Sequence, residues 1–265
     1  MDCLRTERPA EGVARIVLTN AARLNPIAIP MQEQLRDALL QLRDDRTVRA
    51  VILTGEGRGF CAGADLTSVG SGHDDGLTRG QRAQQMMRAL SNPLLHLLHE
   101  MPMPVVCAMN GVAAGAGVAL ALAADIVVAA KSSYFYLPFM PRLGILPDLG
   151  TSWLLERAIG RSRAMALTLL GDRLPAETAK DWGLIWACVD DDVLQAEALA
   201  LAGRLAALPA HAALETRHCY EVVAGHDFAQ QQAYETGRQG ALLDQPSFAE
   251  GVSAFLEKRQ PRFAR

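Results

Sequence analysis

Residues 103–130 read MPVVCAMNGVAAGAGVALALAADIVVAA, and the order of residue types along them decides the fold class. The apolar run 103–109 (MPVVCAM) has the character of a buried strand, and 125–130 (DIVVAA) returns as another. Between them, the small-residue run 114–123 is long enough for a buried helix. Strand, helix and strand in succession mean α/β. The order repeats upstream: 13–19 and 48–54 (VRAVILT) are apolar runs bounded by turn residues, and between them Met31, Leu35, Ala38, Leu39 and Leu42 recur at helical spacing. From Pro175 onward strands thin out, and 191–208, 210–223, 227–243 and 247–258 all read as helices. The expected division is an α/β core over 1–208 and a helical domain over 209–265.

The chain has 265 residues, half of them hydrophobic, enough to bury a sizeable core. A net charge of -3 without any Lys/Arg cluster argues against a nucleic-acid partner, so basic contacts should be a few residues meeting a small anion. The five cysteines form no C-x-x-C pair and have mostly apolar neighbours, which suits reduced thiols in a cytoplasmic protein. Residues 1–8 are charged and precede Pro9, so no signal peptide is expected. The most apolar stretch, 103–130, is broken by Pro104, Asn110, Gly111, Gly115, Gly117 and Asp125, which suits a buried core and not a membrane span. Residues 67–80 (TSVGSGHDDGLTRG) are polar, glycine-rich and aperiodic; they read as a mobile loop, either a candidate lid or a plain solvated connection.

A weak internal echo joins 51–66 (VILTGEGRGFCAGADL) to 105–120 (VVCAMNGVAAGAGVAL). Each passes from an apolar strand through a Gly-rich turn into Gly-Ala residues, so two such units can present two main-chain N–H groups to one point. Taken singly, each has a plain explanation. Residues 60–66 make a tight turn whose small side chains let a ligand approach. The run 110–117 opens a helix whose first N–H groups lack intrahelical partners, although close helix packing accounts for the same residues.

Together the segments ILTGEGRGFCAGADL and AMNGVAAGAGVALALAADIVVAA resemble, in order and spacing, the two hallmark stretches of the crotonase (enoyl-CoA hydratase/isomerase) family. The resemblance runs from Arg23-Leu24-Asn25 to EGVSAFLEKR at 250–259. It implies a spiral of ββα units with a C-terminal helical trimerisation domain, assembling as a homotrimer or homohexamer. It also implies an acyl-CoA substrate, with coenzyme A as part of that substrate and no metal or redox cofactor. By the same resemblance, the amides of Ala64 and Ala116 hold the thioester oxygen. That chemistry is sound, since main-chain donors aimed at a developing enolate oxygen stabilise the transition state by roughly 3–4 kcal/mol each. The resemblance further places Arg23 and Leu24 near the CoA phosphates and adenosine. Ala62, Asp65 and Leu66 would wrap the adenine and pantetheine, and Val112 and Gly115 would also bind the substrate. Phe255 and Lys258 would approach from a neighbouring subunit; surface charge and helix packing are the plain alternatives for Arg23, Lys258 and Phe255.

Hydratases of this family use two glutamates, and here the first position is Ala119 while the second falls near residues 138–140. Since 132–147 holds no carboxylate, the usual pair is missing. The next acid is Asp148, in LGILPDLGTSW (143–153), a segment that resembles the isomerase branch, including Δ3-Δ2-enoyl-CoA isomerases and ring-epoxide isomerases. One carboxylate suffices to carry a proton from the α- to the γ-carbon. The plain alternative makes Asp148 a turn or N-cap acid before a helix over 151–159. Two further readings stay open: a hydratase with a non-standard acid, and an acyl-CoA binder without turnover.

Three other signals are set aside. Residues 57–62 formally fit G-x-G-x-x-A but do not open into a long helix with a later acid. His96, His99 and Glu100 lack zincin order and read as helix-surface residues. Cys61, beside the first turn, has no nearby histidine to activate it, and Asp65 suits fixing the turn better than acting as a base.

Overall fold

The computed structural model describes residues 2–65 and 76–263, so Leu66 and residues 67–75 of the expected loop over 67–80 lie outside the described residues. The chain opens with two antiparallel strands, β1 (Leu4–Ala10) and β2 (Val13–Leu18), followed by helix α1 (Ile29–Asp44). Then come β3 (Ala50–Gly55), β4 (Gly59–Cys61), α2 (Arg79–Met86) and α3 (Asn92–His99). Next are β5 (Val105–Met109), β6 (Val112–Ala114), α4 (Ala116–Leu122), β7 (Ile126–Ala130) and β8 (Tyr134–Tyr136). The core closes with α5 (Thr151–Leu170), β9 (Arg173–Pro175), α6 (Ala176–Asp181), β10 (Ala187–Val189) and α7 (Leu194–Ala206). Helices α8 (Ala210–Val222), α9 (Phe228–Leu243) and α10 (Pro246–Leu256) complete the chain.

A large sheet runs β1-β2-β3-β5-β7-β10, parallel from β2 onward, and a small one runs β4-β6-β8-β9. Successive pairs β3/β4, β5/β6 and β7/β8 each place one strand in the large sheet and the next in the small one before a helix follows. This is a spiral of ββα units, the fold the sequence resemblance implies. Strands β3 and β5 are buried along their whole length, as parallel strands covered on both faces are. Side chains alternate between the faces. Val51, Leu53, Val105, Cys107, Met109, Val127 and Ala129 face α1, α3, α4 and the small sheet, whereas Ala50, Ile52, Val106, Ala108, Val128 and Ala130 face α7.

Helix α1 buries Met31, Leu35, Ala38, Leu39 and Leu42, the stripe expected from their spacing, and also Gln32, whose Oε1 accepts from Ser91 Oγ at 2.6 Å. Helix α8 is tied to the core by Arg217, whose guanidinium bonds both carboxylate oxygens of Asp125 (2.7 and 2.6 Å) and the carbonyl of Met101. Beyond Pro209, the only residue of α8, α9 and α10 that is buried is Ala254. No described helix is long and apolar enough to cross a membrane.

The apolar pattern misses several strands. β1 alternates Leu4, Arg5, Thr6, Glu7, Arg8 and Pro9 without an apolar face, and it is held by pairing with β2 and by ion pairs from Glu7 to Arg5 and Arg15. β4, β6, β8, β9 and β10 have three residues each, too short to show a period.

Candidate functional site

Strand β3 ends at Gly55, and the turn after it is gripped by two asparagines from distant parts of the chain. Asn25 is buried, with φ 55, and its Nδ2 donates to the carbonyls of Glu56 (3.1 Å) and Gly59 (2.9 Å). Asn110, just past β5, accepts from Gly55 N (3.0 Å) and donates to the carbonyl of Gly57 (2.9 Å). These bonds bring the two Gly-rich turns together, and strand pairing continues the match, with Gly59 opposite Val112 and Cys61 opposite Ala113 in parallel. Glycine is needed where the turns touch. A methyl group on Gly117 would overlap the Cys61 carbonyl, and one on Gly63 would lie 2.5 Å from Ala114 O and 3.3 Å from Ala116 N.

Beyond β4, the segment 62–65 runs beside 24–27. Ala62 N donates to Leu24 O (2.8 Å), Ile27 N to Gly63 O (2.7 Å) and Asp65 N to Ile27 O (3.2 Å). In this parallel bridge between Ile27 and Ala64, the N–H of Ala64 points away from the 24–27 segment. Beyond β6, Gly115 takes φ 52 and ψ -126, closed to other residues, and donates its N–H to Tyr136 O (2.9 Å). Ala116 then opens α4, where its amide has no intrahelical acceptor. Neither Ala64 N nor Ala116 N has an acceptor among the described residues. Ala64 is exposed and Ala116 buried.

The remaining candidates distribute as follows. Arg23 is exposed, and its two terminal nitrogens bond both carboxylate oxygens of buried Asp65 (2.8 and 2.9 Å), strapping 21–23 to the first turn. Asp65 therefore fixes the turn. Leu24 (φ 57) and Ala62 flank the same strap, and Val112 and Gly115 lie on the second turn. Leu66 lies outside the described residues. Phe255, 84% exposed, and Lys258 belong to the C-terminal helical region, where α10 packs on α9.

Asp148 lies between Pro147, which is buried, and α5, whose side packs on α4. Its Oδ1 is buried with no hydrogen-bond partner, and burial pushes its carboxyl above the ordinary carboxylate range, opposed by its own N–H. The side chain does not cap α5. The N-cap is Gly150, without a side-chain bond, and the Asp148 main-chain carbonyl accepts from Thr151 N (2.9 Å) and Thr151 Oγ1 (2.7 Å). Phe139 precedes this segment, and its ring lies 3.8 Å from where a methyl on Gly115 would stand, so 139–148 leads from the second turn to Asp148. Ala119 is fully buried within α4.

The signals set aside have structural accounts. Cys61 is buried and its thiol is pushed up to about 12, so it holds its proton at neutral pH. His96 pairs with Glu100 (3.1 Å) and His99 with Glu221 (3.2 Å), in different directions. The sequence reading missed Asn25, Asn110, Phe139 and Thr151. An Asn-Gly pair closing an apolar strand, as at 110–111, was the one local signal available for any of them.

The enoyl-CoA hydratase/isomerase family profile matches residues 8–265. A protein of Escherichia coli K12 named 1,2-epoxyphenylacetyl-CoA isomerase is 42% identical over 258 residues, covering 96% of this chain and 95% of that one. A Rhodobacter capsulatus protein named a probable enoyl-CoA hydratase is 39% identical over 254 residues, with the same coverages. Among solved structures, an enoyl-CoA hydratase/isomerase from Cupriavidus metallidurans superposes with a TM-score of 0.89 at 30% identity, over 100% of this chain and 98% of that one.

Proposed function

Because the chain belongs to the enoyl-CoA hydratase/isomerase family, we propose that it is an isomerase that shifts a double bond in an enoyl-CoA through an enolate, with Asp148 as the proton shuttle. One observation carries this choice within the family. Asp148 is a partly buried carboxylate with an unpartnered oxygen, and it follows a stretch from 132 to 147 that holds no acid. A base with a raised pKa, unneeded for structure, is what reversible proton transfer requires.

In this reading the thioester oxygen accepts from Ala64 N–H and Ala116 N–H, neither of which has an acceptor among the described residues. Withdrawal of charge onto that oxygen acidifies the α-carbon. Asp148 takes the proton there, the two amides hold the dienolate, and the carboxyl returns the proton at the γ-carbon. The amides contribute roughly 3–4 kcal/mol each and the positioned base about 10²- to 10⁴-fold in rate. Arg23, Leu24, Ala62, Asp65, Leu66, Val112 and Gly115 hold the CoA ester, and Phe255 and Lys258 reach it from a neighbouring subunit. Coenzyme A arrives with the substrate, and no metal or other cofactor enters the mechanism. Exposed Phe228, Phe255, Leu256 and Tyr220 support assembly into a trimer or hexamer through the helical region. The reduced cysteines suit the cytoplasm.

A second substrate class rests on the Escherichia coli relative's name: an epoxide of an aryl-acetyl thioester, isomerised at the same site. The relatives named as hydratases keep open water addition with a non-standard acid. The test is incubation with 3-enoyl-CoA, 2-enoyl-CoA and aryl-epoxide esters in deuterated water. Label should enter the α- and γ-carbons in wild type, and Asp148→Asn should bind the esters without exchanging them. Wild-type turnover by Asp148→Asn would overturn the assignment. Water added across crotonyl-CoA would favour the hydratase, and tight binding without reaction a non-catalytic binder.

A further inference from the structure

The carboxyl of Asp148 sits just before a helix whose first N–H groups favour an anion. A carboxylate two residues ahead of the N-cap can still turn toward those amides, and one that accepted two or three of them would titrate low. Here it does not. Leu149 and Gly150 follow with φ 51 and 81, two successive left-handed residues, and they fold the chain back so that the carbonyl of 148 meets residue 151. For Leu149 this conformation is strained, so something must hold it in place. Leu149 packs against the core, and fully buried Thr151 directs both its N–H and its hydroxyl to the Asp148 carbonyl. The main chain thereby takes the capping role, and Oδ1 of the side chain is left without a partner. The raised carboxyl of Asp148 agrees, since a capping carboxylate would be lowered.

The geometry points to Thr151 as a positioning residue, whose hydroxyl holds the Asp148 carbonyl and so keeps the carboxyl from capping α5 and free to exchange protons with the substrate. This rests on the reading of Asp148 as the shuttle. Thr151→Val keeps the shape and removes the donor, and Thr151→Ser keeps the donor. Loss of the hydroxyl should let the carboxyl swing toward the α5 amides, and a displacement near 1 Å costs a reaction about 10²-fold.

The experiment compares kcat and KM for isomerisation of a 3-enoyl-CoA by wild type, Thr151→Val, Thr151→Ser and Asp148→Asn, with thermal midpoints recorded alongside. Expected are a fall in kcat of roughly 10- to 100-fold for Thr151→Val at nearly unchanged KM, and recovery to within about threefold for Thr151→Ser. If Thr151→Val does not fold, Thr151→Ser and Thr151→Ala give the same comparison of hydroxyl against none. Wild-type kcat in the variant without the hydroxyl, with Asp148→Asn inactive, overturns the positioning role and leaves the shuttle standing. Full activity in Asp148→Asn overturns the shuttle itself, and the positioning role with it.

Discussion

Replacing Gly63 by alanine tests whether the approach of the two turns is what aims the amides. Residue 63 has φ +84, so any side chain there adds left-handed strain of about 1–2 kcal/mol. The new methyl would also lie 2.5 Å from Ala114 O, 0.9 Å short of ordinary contact, which begins at 3.4 Å, and 3.3 Å from Ala116 N. Both neighbours are main chain and cannot rotate aside. Relief therefore means moving the 62–64 turn or the 114–116 turn by nearly 1 Å, and those turns carry the Ala64 and Ala116 N–H groups, which have no acceptor among the described residues. Misaiming by that amount, or losing one donor, costs about 10²-fold in kcat. Gly183 gives the control, since its φ is +81 and nothing lies within 4 Å of its methyl position. Gly183→Ala should lower the melting midpoint by roughly 2–4 °C per kcal/mol of strain and leave turnover intact. Gly63→Ala should lose more stability and roughly 10²-fold of the isomerisation rate, read by incorporation of deuterium at the α-carbon. A Gly63→Ala protein with wild-type turnover and the same melting shift as Gly183→Ala would refute the claim that this contact aligns the amides.

Two further outcomes concern the charges. The Asp148 carboxyl has its ordinary value of 3.8 in the unfolded chain and a raised one in the fold, so between those values the native state binds more protons. Its burial penalty is absent below 3.8, grows as pH rises through the folded value, and is full above it. Asp148→Asn should match wild type in urea unfolding at the acid end and exceed it near neutral pH; an equal pH slope in both proteins would contradict this. Arg217→Met should weaken the docking of α8, because it strips Asp125 of its guanidinium and leaves the Val105 N–H bond alone. The expected loss is roughly 2–3 kcal/mol in urea unfolding, with faster proteolysis near Pro209. Unchanged stability would show that the pair contributes nothing net.

The α/β class, the buried strands β3, β5 and β7, the stripe of α1 and the small residues at both turns are legible in the sequence, because they follow from local residue type and period. Its resemblance to the crotonase family is matched by the family profile over 8–265. It could not show β1, whose residues are polar and whose order comes from pairing with β2, or strands three residues long, which are too short to carry a period. Where the polar groups point emerges only in the folded chain. Asn25 and Asn110 reach the 55–59 turn from 31 and 53 residues away, and Arg23 reaches Asp65 across 42. Whether an amide or a carboxylate ends up with a partner depends on such long-range contacts and on backbone angles like those of Leu149 and Gly150. No local pattern encodes them, so the amides of Ala64 and Ala116 that lack acceptors among the described residues, and the unpartnered oxygen of Asp148, appear only once the chain is folded.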